Sequence, residues 1–139
     1  MWSCPKCQRS FQKTNQAHTC QLLDIASLFE RRSTEMRLLY DLVDRFVTGL
    51  GVCRKEAVSP DVIFYKSKST FLAIKVKKKW LDIQFFLDHA EHVHPVKKCL
   101  QTSKNRFVHI VSIDQKLELN SQLKNWISSS YQLINASQH

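Results

Sequence analysis

Glycine, proline and long apolar runs are scarce in this chain of 139 residues, and each scarcity excludes a class of protein. With two glycines and three prolines, the sequence holds neither a collagen-like repeat nor a long flexible linker. No run reaches the roughly 18 apolar residues that a membrane-spanning helix needs. The stretch LLDIASLF is interrupted by Asp24, so it does not resemble the apolar segment of a signal peptide. These absences predict a cytoplasmic protein with no membrane partner.

Acidic residues are missing from the first 20 positions, as part of an uneven charge distribution. The chain carries 21 lysines and arginines against 12 aspartates and glutamates, a formal net charge of +9. The excess lies at residues 1–20 and at residues 61–109, where ten basic side chains face four acidic ones. Such clustering favours an anionic partner such as DNA or RNA. The alternative is that lysines on strands only prevent edge-to-edge aggregation.

The spacing of apolar residues predicts an α+β domain. Helical spacing indicates a short helix at residues 22–29, a helix from Ser33 or Thr34 to Gly49, and a last helix capped by Asn120. The apolar residues that recur along the second helix at steps of three and four are Leu38, Leu39, Leu42, Val43, Phe46, Val47 and Leu50. Alternating apolar and polar residues indicate strands within residues 62–87 and 106–113, with a polar connection at 88–105. The expected fold is an antiparallel sheet of about four strands with helices packed on one face.

A metal-ligand pattern occupies the first 20 residues. Cys4, Cys7, His18 and Cys20 follow the spacing C-x2-C-x10-H-x-C. Three thiolates and one imidazole form a closed tetrahedral set typical of a structural zinc site. Clustered cysteines in a reducing compartment bind metal more often than they form disulfides. The sequence therefore predicts one structural Zn²⁺ in a zinc knuckle at residues 1–20, followed by the α+β domain at 21–139.

The first 20 residues also follow the wider pattern W-x-C-P-x-C-x-R-x-F-x3-N-Q-x-H-x-C. With this head and the compact α+β region behind it, the chain resembles small bacterial proteins of the uncharacterised domain-of-unknown-function family 5655. Relatives commonly carry glycine after the second cysteine, where this sequence has Gln8. Related domains occur as appendages to nuclease-like regions, so the resemblance implies a place in nucleic-acid processing. It implies no reaction.

Lysines interleaved with aromatic residues form the second candidate site. The predicted nucleic-acid contacts are Arg9, Lys13, Lys75, Lys77, Lys78 and Lys79, because lysines neutralise phosphates and aromatic rings stack on bases. Lys66 and Lys68 belong to the same cluster in sequence. The competing interpretation places Phe71 and Trp80 in the core and leaves the lysines as a solvated hairpin tip; for Trp80 we favour this interpretation.

The remaining motifs do not predict catalysis. His89, His92 and His94 lie near Asp88 and Glu91 and suit a second metal or an acid–base site only if they converge; a histidine-rich polar loop is the preferred interpretation. A metal-dependent nuclease needs acids on a central strand beside a lysine, but the strand sequence AIKVK holds no acid and the D-x-K at residues 114–116 lies far along the chain from Asp61. Cys53 and Cys99 are interpreted as small buried apolar residues.

The sequence thus predicts a zinc-stapled, non-enzymatic binding module that contacts nucleic acid through a basic head and a basic sheet edge. The alternative is a protein-interaction or small-ligand domain in which zinc is purely structural. A protein partner is compatible with either, and the sequence does not predict the oligomeric state.

Overall fold

A six-stranded antiparallel sheet with two helices on one face forms the body of the protein. The computed structural model describes residues 2, 3, 5, 10, 11, 25–59 and 61–136. The strands of the main sheet are β3 (Arg54–Ser59), β4 (Val62–Lys66), β5 (Thr70–Val76), β6 (Leu81–Leu87), β7 (Val96–Ser103) and β8 (Arg106–Ile113). Their order is β3-β4-β5-β6-β8-β7. Two short strands, β1 (Trp2–Ser3) and β2 (Ser10–Phe11), pair separately.

The α+β class is confirmed, but the expected strand number was too low. The prediction of about four strands missed β3 and β7, which form the two edges of the main sheet. Both have polar sequences, RKEAVS and VKKCLQTS. An edge strand needs only a backbone ladder to one neighbour, and charged side chains on it discourage pairing with other chains. Apolar alternation is therefore weak where such a strand forms.

Both helices begin at capping residues that the sequence identifies, and α1 also ends at one. Helix α1 spans Thr34–Thr48, and the side chain of Ser33 accepts a hydrogen bond from the backbone N–H of Met36. Gly49 caps its end. Helix α2 spans Ser121–Ala136, and Asn120 Oδ1 accepts a hydrogen bond from the N–H of Leu123. Two 3₁₀ helices, Ile25–Phe29 and Lys116–Glu118, precede them. The expected first helix is thus a 3₁₀ turn, and its residues 22–24 lie outside the described residues.

The buried stripe of α1 agrees with the predicted one in part, since Leu39, Val43 and Val47 are buried as expected. Leu38 and Leu42 are exposed, at 57% and 38%, whereas Met36 and Tyr40 are buried. The ring of Tyr40 contacts Phe29, with 5.0 Å between ring centroids. The 3₁₀ turn before α1 therefore supplies part of the surface against which the helix packs.

The hydrophobic core lies on one face of the main sheet. Tyr65, Leu72, Phe85 and His109 are aligned by strand register across β4, β5, β6 and β8, so their side chains share that face. Helix α2 packs there because the indole of Trp126 stacks on Phe85 with 5.5 Å between ring centroids. Helix α1 packs there through a hydrogen bond of 2.8 Å between the hydroxyls of Tyr40 and Tyr65.

Helix α2 also supplies a polar group to the sheet backbone. The register of β5 and β6 runs from the Leu72–Phe85 pair to the Val76–Leu81 pair. Beyond Leu72 and Phe85, the hydroxyl of Ser130 donates to the carbonyl of Phe71 over 2.6 Å and accepts from the N–H of Phe86 over 2.9 Å. A side chain thus satisfies two backbone groups at the end of the strand ladder.

Neither helix in the described part of the chain has the length and apolar content required to cross a membrane. The core includes residues from Leu28 to Ile134. The domain boundary between residues 20 and 21 stays a prediction.

Candidate nucleic-acid interface

The lysines of residues 77–79 lie at the tip of the β5–β6 hairpin. The N–H of Lys77 donates to the carbonyl of Trp80 over 2.9 Å and closes the turn, which leaves Lys78 and Lys79 exposed at its apex. The side chain of Arg32, which precedes α1, also holds this turn. Its Nε donates to the carbonyl of Lys77 over 2.8 Å, and its Nη2 donates to that of Val76 over 3.4 Å. The tip is therefore held by side-chain as well as ladder hydrogen bonds.

Three further residues lie beside this tip on the sheet face opposite the core. Lys75, Asp82 and Ser112 are aligned by register across β5, β6 and β8. The Lys75 ammonium is 3.9 Å from the Asp61 carboxylate, a loose and half-exposed ion pair that contributes little to stability. Lys97 reaches the same place from β7, with its Nζ 2.9 Å from Asp82 Oδ1.

Asp82 organises the centre of this region. Its side chain is almost completely buried, and one carboxylate oxygen accepts hydrogen bonds from Lys97, the Ser112 hydroxyl and Trp80 Nε1, the last over 3.0 Å. Burial opposes ionisation of this group, but the three hydrogen bonds outweigh burial and hold the pKa of Asp82 below its ordinary value. Asp82 is thus a fixed anion to which Trp80 and Lys97 are anchored. We call Lys75, Lys77, Lys78, Lys79, Trp80 and Lys97 the basic hairpin surface.

The basic hairpin surface keeps a positive excess after its internal pairs are counted. Asp61 and Asp82 lie against Lys75 and Lys97, respectively. Among the residues that the structure describes, Lys77, Lys78 and Lys79 make no ion pair. Adjacent exposed cations without counter-charges create a local positive potential that attracts polyanions.

The structure brings together four of the six predicted nucleic-acid contacts. Lys75, Lys77, Lys78 and Lys79 surround the β5–β6 hairpin, whereas Arg9 and Lys13 lie outside the described residues. Two lysines of the sequence cluster lie elsewhere. Lys66 forms a largely buried ion pair of 3.1 Å with Glu56, and Lys68 donates to the carbonyl of Asn135.

Sequence reasoning missed Lys97 and misjudged Trp80. Lys97 lies in a segment interpreted as a polar connection, and its position beside Trp80 depends on the order of β6, β8 and β7 in the sheet. The assignment of Trp80 to the core was wrong, because the residue is 39% exposed. Phe71, by contrast, is fully buried. The signal that could have identified Trp80 is its place directly after three lysines at a turn.

The predicted zinc ligands Cys4, Cys7, His18 and Cys20 all lie outside the described residues. Within the described residues, no three histidine, cysteine or acidic side chains are grouped so that they could hold a metal ion. The expected zinc site therefore stays a prediction.

The histidine-rich loop makes local contacts at the surface. His89 Nδ1 is 2.7 Å from Asp88 and its Nε2 is 3.0 Å from Glu91. The Asp88 contact, with help from Glu91, raises the pKa of His89. His92 and His94 are exposed. His89 meets both carboxylates at the exposed surface, whereas an enzymatic interpretation of the loop requires an enclosed cleft.

A thiol–imidazole pair is the group that sequence reasoning did not anticipate. Cys99 on β7 pairs with His109 on β8, and its Sγ is 3.3 Å from His109 Nε2. Both Cys99 and Cys53 are partly exposed, so their assignment as buried residues was wrong. Burial lowers the pKa of His109, and its Nε2 already accepts the N–H of Glu91. This imidazole is therefore poorly suited to remove a proton from the thiol.

Comparisons with known proteins extend this description only to the family level. Residues 25–134 match the family model described as "Domain of unknown function (DUF5655)". No curated protein and no solved structure matches the chain significantly. The matched range holds the whole main sheet and the basic hairpin surface, and it begins after the predicted zinc ligands.

Proposed function

We propose that this chain, which belongs to the DUF5655 family, is a nucleic-acid-binding module that contacts phosphates through the basic hairpin surface. The family description names no activity, so the proposal depends on the surface itself. The observation that carries it is the cluster of Lys77, Lys78 and Lys79 at an exposed turn without counter-charges in the described structure, next to a half-exposed tryptophan. Lysine ammonium groups in such a cluster can displace the counterions of a nucleic-acid backbone.

The rigidity of the hairpin supports this proposal over the interpretation as a merely solvated tip. Arg32 hydrogen-bonds two carbonyls of the turn, and Asp82 fixes Trp80 and Lys97 beside it. A turn that is merely solvated does not need hydrogen bonds of this kind to hold it in one conformation. A turn whose backbone is already fixed loses less conformational entropy on binding than a flexible one.

We further propose that Cys4, Cys7, His18 and Cys20 bind one structural Zn²⁺ and so hold Arg9 and Lys13 in a second basic region. The donor set supports this, since three thiolates and an imidazole suit a closed tetrahedral zinc site. With three thiolates the metal centre carries about one negative charge, which the surplus of basic residues at positions 1–20 exceeds.

The salt dependence of binding tests the phosphate contacts. Fluorescence anisotropy with a labelled oligonucleotide, measured over a series of salt concentrations, should show affinity falling as salt rises. The triple substitution Lys77→Gln, Lys78→Gln and Lys79→Gln should reduce the slope of log affinity against log salt by about 2, because each lost phosphate contact removes roughly 0.7 to 0.9 of the slope.

A charge-matched variant controls for net charge. The triple substitution Lys68→Gln, Lys104→Gln and Arg106→Gln removes three cations in or beside turns at the end of the sheet opposite the hairpin tip. Lys104 follows β7 near the Leu87 end of β6, about 20 Å along the strand from the tip. This variant should keep most of the slope. Absence of binding at low salt, or equal losses in both triple variants, would contradict the proposal and leave the protein-interaction alternative.

A further inference from the structure

Trp80 differs from the other large apolar side chains at the surface. It is 39% exposed, and it is the only aromatic residue among those side chains in the described part of the chain. Trp126 shows how a structural tryptophan behaves in this fold, since it packs against the core and its indole stacks on Phe85. The Trp80 ring, within the same described residues, stacks on no aromatic neighbour. Core packing therefore does not account for it.

The orientation of the Trp80 ring is nonetheless fixed. Its Nε1–H donates to Asp82 over 3.0 Å, and Asp82 is itself held by Ser112 and Lys97. The Lys97 ammonium also lies 5.9 Å from the centroid of the Trp80 ring, close enough for a cation–π interaction. An indole that is tied at its polar edge and remains partly exposed can offer a flat apolar surface without first becoming ordered.

We infer that Trp80 is a base-stacking platform and that the ligand class of the basic hairpin surface is single-stranded nucleic acid. This inference rests on the proposed function, because Lys77, Lys78 and Lys79, in the turn directly before Trp80, supply the phosphate contacts. Every base has a π-face, so an indole flanked by cations binds single strands with little sequence preference.

The geometry of a duplex explains why a single strand is favoured. In a duplex the faces of the bases are stacked on one another, and an indole can reach them only after a base step is unstacked, which is energetically costly. A single strand exposes those faces without this cost. Trp80 therefore adds binding energy for single strands only, whereas the lysines contribute to the binding of single strands and duplexes alike.

The test separates stacking from charge by comparing oligonucleotides that carry the same number of phosphates. One is oligothymidylate, and the other is an abasic strand of equal length with the bases removed. Wild-type protein should bind the thymidylate strand about ten-fold more tightly than the abasic strand, within the range that a stacked base contributes. The Trp80→Leu substitution should remove this preference while the slope of affinity against salt is unchanged, and Trp80→Phe should retain most of it.

Leu117→Ala is the control for loss of exposed apolar surface, since Leu117 is 80% exposed, and it should leave the preference intact. Equal binding of both strands by wild-type protein, or a preference that survives Trp80→Leu, would overturn stacking while leaving the phosphate-binding function in place. Failure to bind either strand at low salt would overturn both. If Trp80→Leu does not fold, equal binding of the two strands by wild-type protein still overturns the inference.

Discussion

The backbone N–H of Glu91 donates a hydrogen bond to Nε2 of His109 over 2.9 Å, and this bond fixes the protonation of a fully buried imidazole. Since Nε2 is the acceptor, the proton of the neutral ring is on Nδ1, which donates to the carbonyl of Phe107 over 3.0 Å. The ring also stacks on Phe85 with an interplanar angle of 5°. The connection between β6 and β7 is thus joined to β8 through a neutral histidine.

Stability should fall below neutral pH because of His109. Burial is the main cause that lowers its pKa; the nearby His89 and His92 also lower it, while Glu91 and the Phe107 carbonyl oppose the shift. The unfolded chain, with a histidine pKa of about 6.5, therefore binds the proton first. Between that value and the lower native pKa the unfolding free energy should decline as pH falls, by up to about 1.4 kcal/mol per pH unit.

Urea denaturation between about pH 7.5 and pH 5 measures this decline. His109→Gln keeps a neutral polar side chain that cannot titrate, so it should be less stable at neutral pH but show a smaller decline with acidification. Protonation of His89 should instead stabilise the folded protein as pH falls, because the pKa of His89 is raised. The exposure of His89 keeps this contribution to stability small. Equal pH dependence in wild type and His109→Gln would show that another group is responsible.

Ser130 should contribute more to stability than its size suggests. Ser130→Ala removes a hydroxyl that hydrogen-bonds both the carbonyl of Phe71 and the N–H of Phe86. Each buried backbone group left unpaired costs roughly 1 to 3 kcal/mol. We therefore expect the unfolding free energy to fall by about 2 to 4 kcal/mol. Ser129→Ala on the same helix is the matched control. Ser129 is exposed, so its substitution should change stability by less than about 0.5 kcal/mol. Similar losses in the two variants, measured by chemical denaturation, would contradict this role.

The two hydroxyls of the tyrosine pair between α1 and β4 should contribute unequally to stability. The Tyr65 hydroxyl lies 2.8 Å from both the Tyr40 hydroxyl and Asp44 Oδ1, so it can accept from Tyr40 while it donates to Asp44. Tyr65→Phe should cost about 1 to 3 kcal/mol because it leaves the buried Tyr40 hydroxyl without its partner. Tyr40→Phe removes only one hydrogen bond and should cost about 1 kcal/mol.

Tyr131→Phe provides the baseline for this comparison, because the Tyr131 hydroxyl bonds to the carbonyl of Val52 at an exposed site. A Tyr40→Phe variant that is as destabilised as the Tyr65→Phe variant would argue against unequal contributions from the two hydroxyls.

Burial raises the pKa of Tyr40 to about 12. Its ionisation, followed by ultraviolet absorbance, should therefore occur at a higher pH than that of an exposed tyrosine.

Removal of zinc should affect the head and spare the domain. The core of the described structure is built from residues 28–134, and the family match begins at residue 25. A chelator should therefore release one equivalent of zinc and make Cys4, Cys7 and Cys20 reactive to alkylation, while the far-UV helix signal remains. Elemental analysis that finds no zinc would refute the metal site, and loss of the helix signal on chelation would show that head and domain share one core.

The features predicted from sequence are those that local chemistry determines. Ser33, Gly49 and Asn120 were identified as helix ends because capping depends on residues within one turn. The apolar faces of β5 and β6 followed from alternation, which the core imposes on each strand separately. These features needed no knowledge of the neighbouring strands.

The features that were missed depend on contacts between distant parts of the chain. Lys97 approaches Trp80 only because β7 pairs with β8 and β8 with β6. Cys99 meets His109 through the same register. In the β4–β5 pairing Tyr65 lies opposite Leu72 and Lys66 opposite Thr70, so Phe71 is an extra residue, and simple alternation does not describe its side chain. Sequence periodicity carries no information about such pairings.

The hydrogen bonds from Arg32 to the hairpin carbonyls set an upper limit on the distance between the two proposed basic regions. Arg32 lies twelve positions after Cys20, and a fully extended chain spans at most about 3.6 Å per residue, so this tether reaches no further than about 43 Å. A polymer bound at the hairpin would therefore meet the head at high effective concentration, and avidity could compensate for weak individual contacts. Chain length, more than base sequence, would then determine which ligands this protein retains.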